Sequence, residues 1–273
     1  MGRTVGFVLG GGGVLGAVEV GMVRALYEGG IHPDLVVGTS IGALNGVVLA
    51  AAPINDTVDR LTELWSSTAA RDVFRASVAR QVGQFVRTGT HAHSAAPLRA
   101  LLAPLEGLTF EDLPRTFQCC AASIERAAEQ WFNEGPLIDA VLASCAVPGL
   151  LPPVRIEDEH YLDGGLVNSI PVGRAIELGA DQVFVLQVGR IERPLQAPTK
   201  PWEVAMVAFE IARRHRFARD MASIPDDIEV HVLPTGLSEP QSALTYRSFG
   251  LIERRIDRAY RASTEYLAEN GLI

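Results

Sequence analysis

The sequence predicts an α/β fold with a mostly parallel sheet covered by helices on both faces, and three features near its start carry that expectation. Thr4-Val5-Gly6-Phe7-Val8-Leu9 is an apolar, β-forming run, followed by a glycine loop and then by helical spacing from Ala17 to Glu28. A second apolar run, Leu35-Val36-Val37, passes through Gly38-Thr39-Ser40-Ile41-Gly42 directly into a second helical pattern made of small residues. Strand, helix, strand and helix thus alternate within the first fifty residues, the order that builds a parallel sheet. Strands apolar on both faces need cover on both sides.

Length and composition agree with one such unit. At 273 residues and 48% hydrophobic, the chain can bury a large core as one α/β domain or at most two small ones, and a single domain spanning residues 1–273 is expected. A formal net charge of −8 argues against nucleic acid as a partner. The three cysteines, Cys119, Cys120 and Cys145, are an odd count, and the first two are adjacent, so a disulfide framework is not expected and a reducing cytoplasm is the default setting. No CxxC or HExxH spacing points to a metal site, and no cofactor is implied. Arg3 ahead of an apolar run imitates a leader peptide, but four glycines interrupt that run, which reads as strand and loop. No stretch reaches the ~18 uninterrupted apolar residues of a membrane span, so a soluble protein is expected.

Farther along, Gly29-Gly30 stops the first helix. Asp56 to Ser67 and Arg71 to Arg87 read as helices, the second with Phe74, Val78, Val82 and Phe85 at helical spacing. The 65–110 segment is expected to form a helical, lid-like insertion. Between Ala69 and Ala103 the arginines 71, 75, 80, 87 and 99 stand against one acid, Asp72; a solvated face explains them more simply than a surface for anionic lipid, which stays as the alternative. Thr88 to Ser94, with His91 and His93, reads as a loose loop. Thr116 to Ala122 is a strand, and Leu137 to Ser144 a helix with Pro136 at its start. Val154–Ile156 and His160–Leu162 form a hairpin that delivers Asp163-Gly164-Gly165 into a turn. A helix ending at Gly179, strands at Gln182–Val188 and Ile228–Leu233, and helices at Trp202–Met221 and Ser242–Glu269 complete the chain. The cluster Arg213-Arg214-His215-Arg216 reads as a solvated face.

Two glycine motifs carry the chemistry. Gly38-Thr39-Ser40-Ile41-Gly42 fits the G-x-S-x-G elbow, in which a sharp strand-to-helix turn lifts a serine above the sheet edge, and small residues two before and two after it give clearance. The pattern also fits ordinary structural turns. Gly11-Gly12-Gly13-Val14-Leu15-Gly16 fits a dinucleotide loop or an oxyanion hole. The nucleotide reading needs an acid at the end of the second strand, where Gly38-Thr39-Ser40 stands instead. Side-by-side loops at the carboxyl ends of parallel strands favour the oxyanion reading. A histidine base is not evident: His215 lies in an arginine-rich helix, His231 within a strand, and His160 just before an aspartate turn.

The set Gly11-Gly12-Gly13-x-x-Gly16, Gly38-Thr39-Ser40-Ile41-Gly42, Ala143-Ser144-Cys145-Ala146-Val147-Pro148 and Asp163-Gly164-Gly165 resembles the patatin-like phospholipase family, in order from about Val5 to Val188. That resemblance implies a three-layer α/β/α fold and a serine lipid acyl hydrolase, a phospholipase or esterase, working with a Ser–Asp dyad. It implies Ser40 as nucleophile, Asp163 as its base, and the Gly11, Gly12 and Gly13 amides as the oxyanion hole. The expected partner is a lipid or acyl-ester substrate, with peripheral contact to a membrane surface. Leu15 departs from the family, which usually has Arg or Lys there. A general carboxylesterase acting on small soluble esters and a non-catalytic lipid- or partner-binding member are the alternatives.

Overall fold

A computed structural model of the chain describes residues 2–67, 70, 90, 91, 93–189, 194–199, 201–236 and 251–273. The expected helix at 71–87, part of the 65–110 insertion, its four arginines before Arg99, and the start of the expected closing helix lie outside the described residues.

An eight-stranded sheet runs through the described chain. Strands β1 (Val5–Leu9), β2 (Leu35–Thr39), β3 (Thr116–Ser123), β7 (Gln182–Leu186) and β8 (Glu229–Val232) form its parallel part, in the order β3-β2-β1-β7-β8. Strands β4 (Ala128–Phe132), β5 (Val154–Ile156) and β6 (Glu159–Asp163) add antiparallel pairings at the β3 end. Side chains in the parallel strands alternate between two cores, as the period of two requires. Phe7, Leu9, Val36, Phe184 and Leu186 enter one core. Val8, Leu35, Val37, Val183 and Val185 enter the other.

Helices cover both faces. On the first core lie α1 (Ala17–Glu28), α2 (Ile41–Ala51), α3 (Ile54–Ser66), α4 (Ala96–Leu101), α5 (Leu137–Ser144) and α8 (Ile252–Glu269). The second core is closed by α6 (Val172–Glu177) and α7 (Pro201–Ala222), through residues such as Val172, Ala175 and Phe217. This is the expected three-layer α/β/α arrangement. Helix α1 packs closely on α8, where a Cβ on Gly21 would stand 2.1 Å from the Ile256 carbonyl oxygen. Among the described residues no helix is long and apolar enough to cross a membrane.

Three elements differ from expectation. A short 3-10 turn, Gly13–Gly16, precedes α1. Pro136 caps α5 from outside the helix instead of occupying its first position. Strand β4 went unpredicted, because Ala-Glu-Gln-Trp-Phe has no apolar alternation and lies half-buried. All three cysteines are free and buried.

Leu15 is 2% exposed and packs in the first core. The position is therefore a packing site, and a cation there would be stranded. Leu15→Arg is expected to lose the leucine's burial, ~1.5–3 kcal/mol, and to add the cost of an unpaired buried charge. Urea unfolding should show a lowered midpoint; an unchanged midpoint would mean that the side chain reaches solvent.

Candidate active site

The site is assembled at the carboxyl ends of β1 and β2 by a break in strand pairing. Along β3, Cys120 pairs with Trp131 of β4 on one edge and Thr39 of β2 on the other. At the next residue, Ala121 still pairs with β4, but its other neighbour is now Asp163 of β6. Strand β6 therefore enters antiparallel along the edge that β2 vacates when it turns away at Ser40. Its last residue meets the end of β2 head-on. That junction brings together two residues 123 positions apart, with Ser40 Oγ donating to Asp163 Oδ2 at 2.5 Å.

Ser40 occupies φ 57, ψ −125, an unusual conformation for a residue with a side chain. Such strain costs roughly 1–3 kcal/mol and persists only where the surroundings impose it. Here they do. The Ser40 N–H donates to Ser144 Oγ at 2.9 Å, and Ser144 Oγ in turn donates to the Cys120 carbonyl at 2.6 Å. The Ser40 carbonyl accepts from Ala43 N–H at 2.9 Å, from Leu44 N–H at 3.2 Å, and from Cys145 Sγ at 3.0 Å. The turn is also tight. A Cβ on Gly42 would stand 2.2 Å from the Leu9 carbonyl oxygen, and one on Gly38 would stand 2.5 Å from the Gly42 carbonyl oxygen. The motif Ala143-Ser144-Cys145 thus supplies the struts of the elbow, a role not assigned from sequence.

Asp163 is buried, and its second oxygen accepts from Gly165 N–H at 2.7 Å. Burial pushes its carboxyl from 3.8 up to about 6, with the Ser40 and Gly165 hydrogen bonds pulling the other way. The turn after it is pressed onto β3: a Cβ on Gly164 would lie 2.1 Å from the Cys120 carbonyl oxygen, and one on Gly165 would meet Phe209 Cζ at 2.7 Å. Thr39 Oγ1 donates to the Asn168 carbonyl at 2.8 Å and pins the loop to the end of β2.

The glycine loop lies beside the elbow. Gly11 N–H donates to the Ser169 carbonyl at 3.0 Å, so that amide is already committed. Its Cα approaches Ser40 closely, since a Cβ there would be 3.3 Å from Ser40 Cβ. Gly12 and Gly13 follow, Gly13 at φ +58, a region favouring glycine, and no hydrogen bond from either amide to a described residue is found outside the helices. Gly16 meets Ile41 and Trp65, where a Cβ would be 2.6 Å from Ile41 Cγ1.

Behind the loop is a buried polar group that sequence reasoning missed. Asn45 Nδ2 donates to the Gly16 carbonyl at 3.0 Å and to Glu19 Oε2 at 2.6 Å, while Asn45 Oδ1 accepts from Trp65 Nε1 at 3.0 Å. It ties α1, α2 and α3 together. Burial pushes the Glu19 carboxyl well above its usual range, against the Asn45 hydrogen bond and the Arg213 charge. An Asn and a Glu inside otherwise apolar helical runs were the available signals.

The histidines stand elsewhere. His160 Nδ1 faces Glu125 at 2.8 Å on the exposed hairpin, His231 Nε2 faces Glu229 at 2.8 Å, and His215 is exposed on α7. Among the described residues no histidine hydrogen-bonds Ser40 or Asp163.

Residues 7–176 match the family model for the patatin-like phospholipase. The chain is 33% identical over 199 residues to the lysophospholipase nte1 of Emericella nidulans, an alignment covering 70% of this chain and 12% of that protein. It is 36% identical over 198 residues to a patatin-like phospholipase domain-containing protein of Caenorhabditis elegans, covering 70% of this chain and 14% of the other. The chain thus spans about an eighth of the length of these curated relatives. The crystal structure of VipD from Legionella pneumophila matches with a TM-score of 0.51 at 16% identity, covering 98% of this chain and 67% of that one, a likeness of fold.

Proposed function

The chain belongs to the patatin-like phospholipase family, and on that premise we propose that it is a serine acyl hydrolase in which Ser40 attacks an ester carbonyl and Asp163 manages the proton. The observation that carries this reading is the 2.5 Å hydrogen bond from a strained elbow serine to a buried aspartate.

Asp163 Oδ2 takes the hydroxyl proton as Ser40 Oγ bonds to the carbonyl carbon. The carbonyl oxygen becomes an oxyanion received by the Gly12 and Gly13 amides; Gly11, whose N–H serves Ser169, shapes the loop instead. A donor of this kind contributes ~3–4 kcal/mol to the transition state. Collapse breaks the ester C–O bond, and Asp163 returns the proton to the departing alcohol. Water then attacks the acyl-serine, giving its proton to Asp163. The fatty acid leaves and Ser40 recovers its hydrogen. A carboxyl poised at about 6 suits both duties near neutral pH. The lysophospholipase name of the fungal relative suggests a monoacyl phospholipid as substrate. The burial of Leu15 supports reading its departure from the family pattern as core packing.

A fluorophosphonate probe should label the protein at Ser40 alone, read by peptide mass mapping. No label, or a label on another serine, would remove Ser40 as the nucleophile. Replacing His160, His215 or His231 singly by Gln should leave at least a tenth of the ester hydrolysis. A drop on the ~10²–10⁴ scale of a general base at any one of them would turn the dyad into a triad.

A further inference from the structure

Arg213 is not the solvated residue that its place in Arg213-Arg214-His215-Arg216 suggested. The helical period of α7 turns it inward with Phe209 and Phe217, and its side chain is only 4% exposed. Its guanidinium lies against the strand-end that follows β7. A Cβ on Gly189 would stand 2.7 Å from Nη1, 3.2 Å from Nη2 and 3.3 Å from Cζ, so the guanidinium packs closely on that backbone. Nη1 donates to Glu210 Oε1 at 3.1 Å, and Glu210 also serves Arg214 Nε at 3.3 Å. Among the described residues Nε and Nη2 are buried with no hydrogen-bond partner.

Those two atoms form one edge of the guanidinium, the side-on fork that matches two oxygens of a phosphate or carboxylate. Leaving such an edge buried and unpaired is costly, and among the described residues no side chain hydrogen-bonds it. Glu19, whose Oε1 is likewise buried without a hydrogen-bond partner among the described residues, feels the Arg213 charge but forms no salt bridge with it there, and burial pushes that carboxyl upward. The place adjoins the candidate site. The loop after β7 adjoins the glycine loop, because Leu9 and Leu186 are register partners and a Cβ on Gly12 would lie 1.8 Å from Val188 Cγ2. Gly189 therefore lies two strand positions from the Ser40 elbow, roughly 10 Å at the usual strand spacing. In a glycerol ester six bonds separate the acyl carbon from the phosphorus, a shorter reach that leaves room for the Ser40 and Arg213 side chains to extend to either end.

We propose that Arg213 is a specificity-determining residue, its Nε–Nη2 edge holding the phosphate of a phosphate-bearing acyl ester while Ser40 attacks the acyl carbonyl. The inference rests on the serine hydrolase reading and adds to it the group that selects the substrate. It also gives this chain a cation beside the glycine loop, where Leu15 provides none.

The test compares palmitoyl-lysophosphatidylcholine with monopalmitoylglycerol, which share an acyl chain and differ in the phosphate. Arg213→Met should lower kcat/KM on the lysophospholipid by at least about tenfold, mainly through KM, the scale of losing one partner of a buried charge pair. Monopalmitoylglycerol turnover should stay within a few-fold. Arg213→Lys, which keeps charge but not the fork, should fall between wild type and Arg213→Met on the lysophospholipid. Inorganic phosphate should compete with the lysophospholipid and leave monopalmitoylglycerol hydrolysis unaffected; equal inhibition of both would mark a separate effector site and overturn the proposal. Equal losses on both substrates in the variants, or no loss, would do the same. Should Arg213→Met fail to melt cooperatively, Arg213→Lys and the phosphate competition decide. A readout without catalysis separates this proposal from the hydrolase reading: phosphate should raise the Tm of wild type and not that of Arg213→Lys to the same degree. That shift would stand even if Ser40 took no label, and its absence alongside a labelled Ser40 would sink the phosphate fork alone.

Discussion

Ser40→Ala should cut kcat for ester hydrolysis by a factor on the order of 10⁶, the scale seen when a serine hydrolase loses its nucleophile. Fluorophosphonate labelling should disappear with it. The fold should survive, because alanine keeps the Cβ and the struts from Ser144 and Cys145 bind the backbone of residue 40, not its hydroxyl. Two further measurements make the expectation sharper. The Ser40 hydrogen bond now holds the Asp163 carboxyl down against its burial, so its removal should move that carboxyl above 6, visible as a shifted carboxyl resonance in an NMR titration. Ser40→Gly leaves Asp163 equally without its hydroxyl partner but relieves the positive φ. It should be more stable than Ser40→Ala by about 1 kcal/mol. Activity above a hundredth of wild type in Ser40→Ala would show that another residue attacks the ester.

What the sequence made legible was local, and what it hid was relational. β1, the glycine loop, α1 and the elbow each announce themselves within a few residues, since apolar runs and dense glycines leave few other conformations. Their bounds in the structure differ from expectation by a residue or so. The pairing of Ser40 with Asp163 was readable only through the motif resemblance. It depends on β6 replacing β2 along the same edge of β3, and no local pattern encodes that replacement. Gly11 looked like a third oxyanion donor because its N–H partner, the Ser169 carbonyl, arrives from a loop 158 positions later. Arg213 looked solvated because four basic residues in succession suggest one charged face. On a helix, successive residues are turned by about 100° from one another, and one of the four had to point inward. Glu19 and Asn45 were visible as polar residues in apolar helices, but which would pair, and around Gly16, emerged only from the packing of α1 on α2.

Asp163→Asn should separate activity from stability in opposite directions. Asparagine can keep the contact to Gly165 N–H through its oxygen, while its amide nitrogen faces Ser40 Oγ as a donor, so the acceptor for the serine proton is lost with little change in shape. Hydrolysis should fall by ~10²–10⁴, the usual contribution of a general base. In wild type, kcat/KM should rise with pH through about 6, because Asp163 accepts a proton only when ionised, and that limb should vanish in the variant. Stability follows the other sign. The folded carboxyl titrates at about 6 against 3.8 when unfolded, so the native state holds this proton more tightly. Its favourable contribution is complete below about 3.8 and is lost as pH rises through about 6. Above that, the ionised buried carboxylate costs roughly 3 kcal/mol. Asp163→Asn carries no such charge, so at pH 8 its Tm should exceed that of wild type by several degrees, and the gap should narrow as pH falls below 6. Calorimetry at pH 8 and pH 4.5, beside the two pH–rate profiles, tests both halves. A variant keeping a tenth of the activity, or a Tm gap independent of pH, would mean that Asp163 is not the buried base on which the mechanism turns.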